Sequence, residues 1–260
     1  MTESELKQIT EEEYEMLESE EFNITEDALI LMFLALSQTK DNLEKELRAF
    51  YQKYGKDGVI TFAEARKWVS EQNHQSRINA LVLFVGGEFS SVLAKLKPQF
   101  KEFLLEVVET EELFFGTKID ADKILSKKWD IDNLNWEKRL EDYTDWWAAN
   151  IARDLKQATK TGKHVDEVLE NLDKRFKTIN FNLTSLGLSE STAIGSFSRL
   201  QAFKQLGVTK YKFYSKVDER RCEHCGALHG MIFPVTAFEV GVTASPLHRR
   251  CRCFEIAIVE

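Results

Sequence analysis

Proline and cysteine are both scarce in this 260-residue chain, and the few that occur are unevenly placed. Only three prolines, Pro98, Pro234 and Pro246, are present, so little in the sequence interrupts a long helix. All four cysteines fall within the last forty residues. A disulfide framework is not expected, because nothing marks the chain as secreted and such bridges persist in oxidising compartments.

The chain also lacks the runs and motifs that mark membrane spans, leader peptides and common enzymes. No run of about eighteen apolar residues occurs, so we expect no transmembrane helix and no membrane partner. The first five residues, Met-Thr-Glu-Ser-Glu, are acidic, so no signal peptide is expected. There is no Gly-rich phosphate loop, no H-E-x-x-H and no G-x-S-x-G, which favours a non-enzymatic protein with no small-molecule substrate.

Charge is divided unevenly between the two ends of the chain. Residues 1–30 hold eleven acidic residues and one lysine, whereas residues 199–253 hold ten Lys or Arg and four Asp or Glu. The formal net charge of −8 conceals this polarity. An acidic, Glu-rich N-terminus is typical of a solvated helix or tail, and it is also able to dock a basic partner surface or hold the chain off DNA.

Between these ends, apolar residues recur at helical spacing. The pattern predicts a series of helices: one N-capped by Thr25 and ending near Tyr54 before Gly55–Gly58, one opened by the capping box Thr61–Glu64, a division at Gly86-Gly87, and further helices over 88–115, 135–160, 164–179 and 189–206. Residues 116–132 are predicted to form a connection with short helical turns.

After Gly207 the period changes from helix to strand. Tyr211, Phe213 and Ser215 alternate with more polar residues, and Met231–Phe233 and Phe254–Val259 are two more strand candidates. The predicted fold class is therefore α+β, mainly α, with an elongated helical body followed by a small C-terminal β module held together by zinc. The predicted boundaries are an acidic N-terminal segment over 1–25, a helical body over 26–206, and a C-terminal module over 207–260.

The cysteines form two short knuckles, Cys222-Glu-His-Cys225 and His248-Arg-Arg-Cys251-Arg-Cys253. Paired C-x-x-C and H-x-x-C knuckles are how small loops present tetrahedral ligands to zinc. The stretch from Leu228 to Leu247 is long enough for a hairpin that brings the two knuckles together. Free thiols or a redox pair are the alternative interpretation.

Five candidates compete for four positions in such a site. Cys222, Cys225 and His248 are the firmest, and either Cys251 or Cys253 is the fourth ligand, with Cys251 favoured. A site filled by four protein ligands has no open coordination position, which indicates a structural zinc rather than a catalytic one. Folding of the C-terminal module is then expected to depend on the metal.

Charged residues flank the knuckles and allow two functions. The arginines can contact DNA phosphates or can offset the negative charge of zinc-bound thiolates; they are Arg220, Arg221, Arg249, Arg250 and Arg252. Asp218 is predicted to fix the turn that enters the first knuckle through an Asx-type hydrogen bond. A nuclease site is the alternative, with Asp218 or Glu223 as its carboxylate beside His224 and His229.

The residues around the cysteines are more specific than the spacing. An aromatic strand is followed by an Asp, a C-x-x-C, a glycine-containing apolar turn and a terminal P-x-H-x-x-C-R-C, at Asp218, Cys222, Cys225, Leu228, Gly230, Phe233, Pro246, His248, Cys251, Arg252 and Cys253. Over about residues 199–256 this pattern resembles the C-terminal domain of the phage Mu F-like minor head proteins, the phage head morphogenesis family. The chain departs from that family in having Ser198-Arg199-Leu200-Gln201 where an Arg-Thr-Glu-like segment is common.

This resemblance implies a minor head protein of a tailed phage that acts in head morphogenesis and in DNA packaging and ejection. Its implied location is the interior of the virion and procapsid at the portal vertex, with the host cytoplasm during assembly. The implied partners are the portal protein, with scaffold or major capsid protein and packaged double-stranded DNA as further candidates. The alternative is a metal-dependent nuclease or toxin-like effector carried with the head.

Overall fold

The computed structural model describes residues 2–61, 72–130 and 132–259, and long helices dominate it. In the described residues the helices are α1 Glu3–Leu6, α2 Glu11–Tyr54, α3 Gln72–Phe115, α4 Ala121–Leu125, α5 Trp136–Thr161, α6 Val165–Gln205 and α7 Glu223–Leu228. The strands are β1 Lys210–Ser215, β2 Ile232–Pro234 and β3 Cys253–Ile258, with a 3₁₀ turn at Val235–Ala237. The mainly helical class with a small C-terminal sheet is confirmed.

Helix α2 begins at Glu11, well before the start that the sequence predicted, so the assignment of Thr25 as an N-cap is wrong. Thr25 is buried inside the helix, where its hydroxyl donates to the carbonyl of Glu21 at 2.9 Å. The cap is a capping box at Thr10, whose Oγ1 accepts from the N–H of Glu13 while the Glu13 carboxylate accepts from the N–H of Thr10. The acidic segment therefore continues directly into the long helix.

Two predicted helix breaks are also wrong. Helix α3 runs through Gly86-Gly87, because the buried side chains of Val85 and Phe89 anchor it on both sides of the glycines. Packing of this kind offsets the cost of about 1 kcal/mol for each glycine in a helix. Helix α6 is continuous where two helices were predicted, and buried Leu183 and Leu186 fill the expected gap. The predicted Thr61–Glu64 capping box lies outside the described residues from residue 62 onward, as does the start of its helix.

By its internal packing the chain divides into two compact units, and the described residues of one are mostly helical. It comprises Ile30–Pro98 and Arg139–Asn182. Its buried residues recur at three- and four-residue spacing on four helices, among them Met32, Leu36, Leu43, Leu47, Leu81, Val85, Phe89, Val92, Leu140, Trp147, Ile151, Val168, Leu172 and Phe176. The rings of Phe89 and Phe176 stack at 6.2 Å, and Lys40 forms an ion pair with Asp173 at 2.6 Å. These contacts describe a helical bundle.

The other unit joins three separate stretches of chain, Met1–Leu29, Gln99–Lys138 and Leu183–Glu260. It contains the sheet, whose strand order is β2-β1-β3 with both pairs antiparallel. Its main core combines residues from the beginning, middle and end of the chain: Leu6, Tyr14, Leu17, Phe115, Ala202, Phe203, Val208, Tyr211, Val235, Phe254 and Ile256. The acidic N-terminal residues thus form a helix with one solvated face and one face buried in this core.

A buried charge cluster, formed by Glu21, Glu111, Arg199 and Glu255, lies within the same unit. The Arg199 guanidinium is 2% exposed and donates to Glu111, with Glu255 at 3.5 Å and Glu21 at 3.9 Å. Burial raises the pKa of Glu21 and of Glu111 above the usual carboxyl value, and it raises the pKa of Glu255 to about 7. Three carboxylates around one cation therefore favour at least partial protonation.

One described helix departs from the expectation of no membrane-like segment. Over Arg77–Phe115, α3 contains an eighteen-residue window with a mean hydropathy of 1.4, and 22% of that window is buried. By length and composition alone it is apolar enough to cross a membrane, a test that core helices of soluble proteins also pass. Glu88 and Lys95 interrupt the apolar run, which is why the sequence shows no uninterrupted apolar stretch of that length.

Candidate metal centre

The central strand β1 brings the two knuckles together. Ser215 at the end of β1 lies opposite Cys253 at the start of β3, and the first knuckle follows β1 directly. The hairpin predicted between Leu228 and Leu247 does not form, because β2 pairs with β1 instead of folding back on the second knuckle. The knuckles meet because β1 has a partner on each side.

The first knuckle is held by backbone hydrogen bonds around a short helix. Cys222 is the N-cap of α7, and its sulfur accepts from the N–H of Cys225 at 3.3 Å. Gly230 closes the turn that follows in a left-handed conformation with φ of 80°, and its N–H donates to the carbonyl of Phe213 at 2.8 Å. Both cysteine sulfurs are thereby fixed on the same side of the knuckle.

The second knuckle is fastened to helix α6. The N–H of Arg250, which has φ of 60°, donates to the Ser189 hydroxyl at 3.0 Å. The Thr192 hydroxyl donates to the carbonyl of Cys251 at 3.2 Å. These contacts place His248 and Cys251 opposite the first knuckle.

The five predicted ligands converge as two overlapping triads. Within each triad the donor atoms lie no more than 4.8 Å apart; the triads are Cys222, Cys225 and His248, and Cys225, Cys251 and Cys253. The His248 Nε2 atom is 3.3 Å from the Cys222 sulfur and 3.2 Å from the Cys225 sulfur, and the sulfurs of Cys225 and Cys251 are 3.8 Å apart. Cys225 belongs to both triads. We refer to the five residues as the thiol–imidazole cluster.

His248 presents its imidazole in the orientation that a metal ligand needs. Its Nδ1 atom lies 2.8 Å from the carbonyl oxygen of Arg249, and a carbonyl only accepts, so Nδ1 carries the proton. The lone pair of the neutral ring is then on Nε2, which faces the sulfurs of Cys222 and Cys225. Such a bond to the second ring nitrogen is how proteins fix metal-binding histidines.

The thiols already favour a thiolate in this arrangement. Hydrogen bonds from Cys225 and Cys253 lower the pKa of the Cys251 thiol. The hydrogen bonds that these three thiols form with one another raise the pKa of Cys253 and of Cys225. Cys251 and Cys253 both lie beside Cys225 and are both buried. The choice of fourth ligand between them stays a prediction, since each is within reach of the shared cysteine.

An apolar layer surrounds the sulfurs. Phe213 is fully buried against Cys225, Cys251 and Cys253, and partly buried Leu228, Phe233 and Leu247 pack on the same cluster. Dry surroundings of this kind limit solvent access to a metal. The donor set and its surroundings can therefore hold a metal ion.

Asp218 ties the two knuckles together. Its Oδ1 accepts from the N–H of Arg220 at 2.9 Å, which is the predicted Asx-type turn. Its two oxygens also accept from both terminal nitrogens of Arg252, at 2.6 and 2.8 Å. The hydrogen bonds from Arg252 lower the pKa of Asp218 to about 2. The carboxylate is thus committed to a structural contact.

The two histidines near the first knuckle differ in their surroundings. The Nδ1 atom of His229 accepts from the N–H of Ser215 at 3.2 Å, and its ring meets Tyr214 edge-on at 5.0 Å. His224 is exposed on α7. His229 therefore supports the strand, and His224 is the better choice for a control substitution.

The arginines lie close to acidic side chains that the sequence interpretation did not connect with them. Arg220, Arg250 and Arg252 line a cavity of about 430 Å³ together with carboxylates from the N-terminal helix, which are Glu18, Glu21 and Glu26. Arg220, Arg221, Arg249 and Arg250 are exposed. The sequence did contain a signal for this proximity: the N-terminal segment is acidic and the C-terminal segment is basic, so the two attract each other.

Comparison with protein families agrees with this geometry. Residues 149–256 match the model of a family described as "Phage Mu protein F like protein". The matched region begins within α5 and includes β1, β2, both knuckles and the first four residues of β3. The resemblance drawn from the motifs is confirmed. No curated protein and no solved structure matches the chain.

Proposed function

We propose that this protein is a minor head protein of a tailed phage, because residues 149–256 match the model of the phage Mu F-like family. It would act at the portal vertex, inside the procapsid and the virion, in head morphogenesis and in DNA packaging and ejection. Its partners would be the portal protein together with scaffold or major capsid protein. The family match over the region that holds the thiol–imidazole cluster is the observation that carries this proposal.

Zinc is the metal that the donor set fits best. Thiolates and a neutral imidazole are preferred zinc ligands, and ligands at a Zn–S distance of about 2.3 Å on tetrahedral corners are about 3.8 Å apart. The Cys225–Cys251 separation of 3.8 Å agrees with that edge. The proposed ligands are Cys222, Cys225, His248 and Cys251, with Cys253 as the competitor. Four protein ligands would leave a structural ion with no open position.

Contact with packaged DNA is proposed for the arginines around the cluster. Arg220, Arg221, Arg249 and Arg250 have exposed side chains on both knuckles. Arg252 is engaged by Asp218, so its contribution would be to orient the knuckle.

Replacing the four exposed arginines by glutamine is expected to weaken binding to duplex DNA. The slope of log affinity against log salt should fall by about 0.9 for each phosphate that the protein no longer neutralises, because fewer counterions are then released. Fluorescence anisotropy across a salt series measures both quantities. The Arg153→Gln, Arg175→Gln pair is the control, and equal slopes in the two variants would contradict DNA contact.

Quantitative mass spectrometry of purified virions and empty procapsids tests the assignment to the head. A few copies per particle are expected in both, because a portal-vertex component enters during assembly and stays. Major capsid protein supplies the internal standard for particle number. If the protein is abundant in the lysate and missing from both particles, the nuclease or effector alternative becomes the one to pursue.

The enzymatic alternative receives less support from the described residues. Asp218 is held by Arg252 and by the turn, and His229 accepts a hydrogen bond from the backbone. A nuclease needs a free base beside an open metal position. The thiol–imidazole cluster instead offers enough donors to fill a tetrahedral site.

A further inference from the structure

An open apolar groove lies between the first turns of α2 and the last turns of α3. Leu17 and Phe114 form its floor, and Met16 and Leu113 stand on its edges. Met16 is 71% exposed and Leu113 is 76% exposed. The groove has a volume of about 870 Å³, which is room for several large side chains. We call this feature the apolar groove.

The floor of the apolar groove is fixed by the core beneath it. Leu17 belongs to the main core of the unit, and Phe114 packs edge-on against buried Tyr14 at 5.2 Å. Tyr14 in turn accepts a hydrogen bond from the N–H of Ala257 at 3.3 Å. The two helices that form the walls are therefore held in place before any ligand binds, which lowers the cost of binding.

Carboxylates form the rim. Glu12, Glu13, Glu15 and Glu20 all line the groove. Glu13 belongs to the capping box, and Glu15 accepts from the Tyr214 hydroxyl at 2.8 Å. Within the described part of the chain no cation pairs with Glu12 or Glu20, and both are exposed. The rim therefore carries negative charge that an incoming partner can neutralise.

Charge decides which class of partner fits. Phosphates of nucleic acid and anionic lipid headgroups are repelled by such a rim, whereas lysine and arginine are attracted. An apolar floor between two helices, with charged edges, is the form of a helix-in-groove site. We propose that the apolar groove binds an amphipathic helix of another protein, with apolar residues on the face that enters the groove and Lys or Arg residues beside it. That the partner is a head protein rests on the proposed function, whereas its chemistry rests on the groove alone.

A model peptide tests this chemistry directly. The probe is a fluorescein-labelled helical peptide of leucine and lysine, with leucine at positions i, i+3, i+4 and i+7, added to the full-length chain. The double variant Met16→Ser, Leu113→Ser is expected to bind it about tenfold or more weakly, because two apolar side chains no longer pack against the peptide. Glu12→Gln, Glu20→Gln is expected to weaken binding several-fold at low salt and to flatten its salt dependence.

Leu83→Ser supplies the matched control, because Leu83 is 75% exposed and lies on the same helix α3 but outside the groove. Three results would overturn the proposal. They are no binding of the peptide, an equal loss of peptide affinity in the Leu83→Ser variant, or equal affinity for a control peptide in which every lysine is replaced by glutamate. A wild-type dimer that becomes a monomer in the Met16→Ser, Leu113→Ser variant would also overturn the proposal. That result would mean that the groove binds a second copy of this chain. Particle mass spectrometry does not depend on any of these outcomes, so failure here leaves the head assignment to its own test.

Discussion

Replacement of Cys225 by serine is expected to abolish metal binding and to unfold the C-terminal module beyond about residue 207. Cys225 is the one residue shared by both triads, so its replacement removes the sulfur that lies close to the donors of both knuckles. Structural zinc contributes apparent binding free energies of about 10–16 kcal/mol in small peptides, and this energy is coupled to folding. Metal analysis should find no bound zinc in this variant, against about one per chain expected in the wild type if the proposed site is filled, and limited proteolysis should show rapid cleavage within residues 207–260.

Three further variants make this result specific. His224 lies on the same short helix and is exposed, so the His224→Ala variant should retain zinc and protease resistance. Cys251→Ser and Cys253→Ser are expected to differ, with the larger decrease in bound zinc identifying the fourth ligand. If the Cys225 variant remains as resistant to protease as the wild type, zinc does not hold the module together.

Replacement of Arg199 by methionine is expected to destabilise the fold by about 3–5 kcal/mol, the usual cost of leaving buried charges without their partner. Arg199 is the central cation of the buried charge cluster, and its guanidinium is surrounded by Glu21, Glu111 and Glu255. Urea denaturation followed by circular dichroism measures the change. Arg175→Met is the control, because the Arg175–Asp154 pair is about a third exposed and exposed pairs contribute about 0–1 kcal/mol.

A second substitution in the same cluster distinguishes charge from packing. Adding Glu111→Gln to the Arg199→Met variant should recover part of the lost stability, because one fewer buried carboxylate then requires a proton. In the wild type, burial raises the pKa of Glu21 and Glu111, so their contribution is fully present below the unfolded pKa of about 4.3 and falls as pH rises through the folded values. An unchanged double variant would show that volume alone explains the destabilisation.

Local patterns in the sequence predicted the C-terminal module well. Alternation of aromatic and polar residues located β1, and the Asp218 turn and the convergence of both knuckles followed from residue types at fixed spacing. The strand and the turn depend on neighbours within a few positions, and the convergence of the knuckles was inferred from the ligand types that a metal requires. The order of the strands could not be predicted in the same way, because the pairing of β2 with β1 is set by contacts distant in the chain.

The helix starts and the buried charge cluster show where local reasoning ends. Thr25 fits an N-cap by residue type, but the Thr10 capping box and the buried face around Leu17 extend the helix in front of it. The sequence singled out Arg199 only as part of a segment that departs from the family pattern, with no indication of a buried charge. Its burial is set by Glu21 and Glu111, which come from other helices, so no spacing rule connects them.

The order in which this chain is made has a consequence for how one of its units forms. The hydroxyl of Tyr14 accepts a hydrogen bond from the N–H of Ala257, and the two residues are 243 positions apart in the sequence. During synthesis the face of α2 that carries Tyr14 and Leu17 lacks the part of its native core that Phe254 and Ile256 supply until β3 has left the ribosome. The unit that contains the sheet is therefore a late product of translation, and contacts at such separation fold slowly. A ribosome stalled before residue 253 would present a chain whose N-terminal apolar face is incompletely covered, and chaperones could bind the part that β3 normally buries.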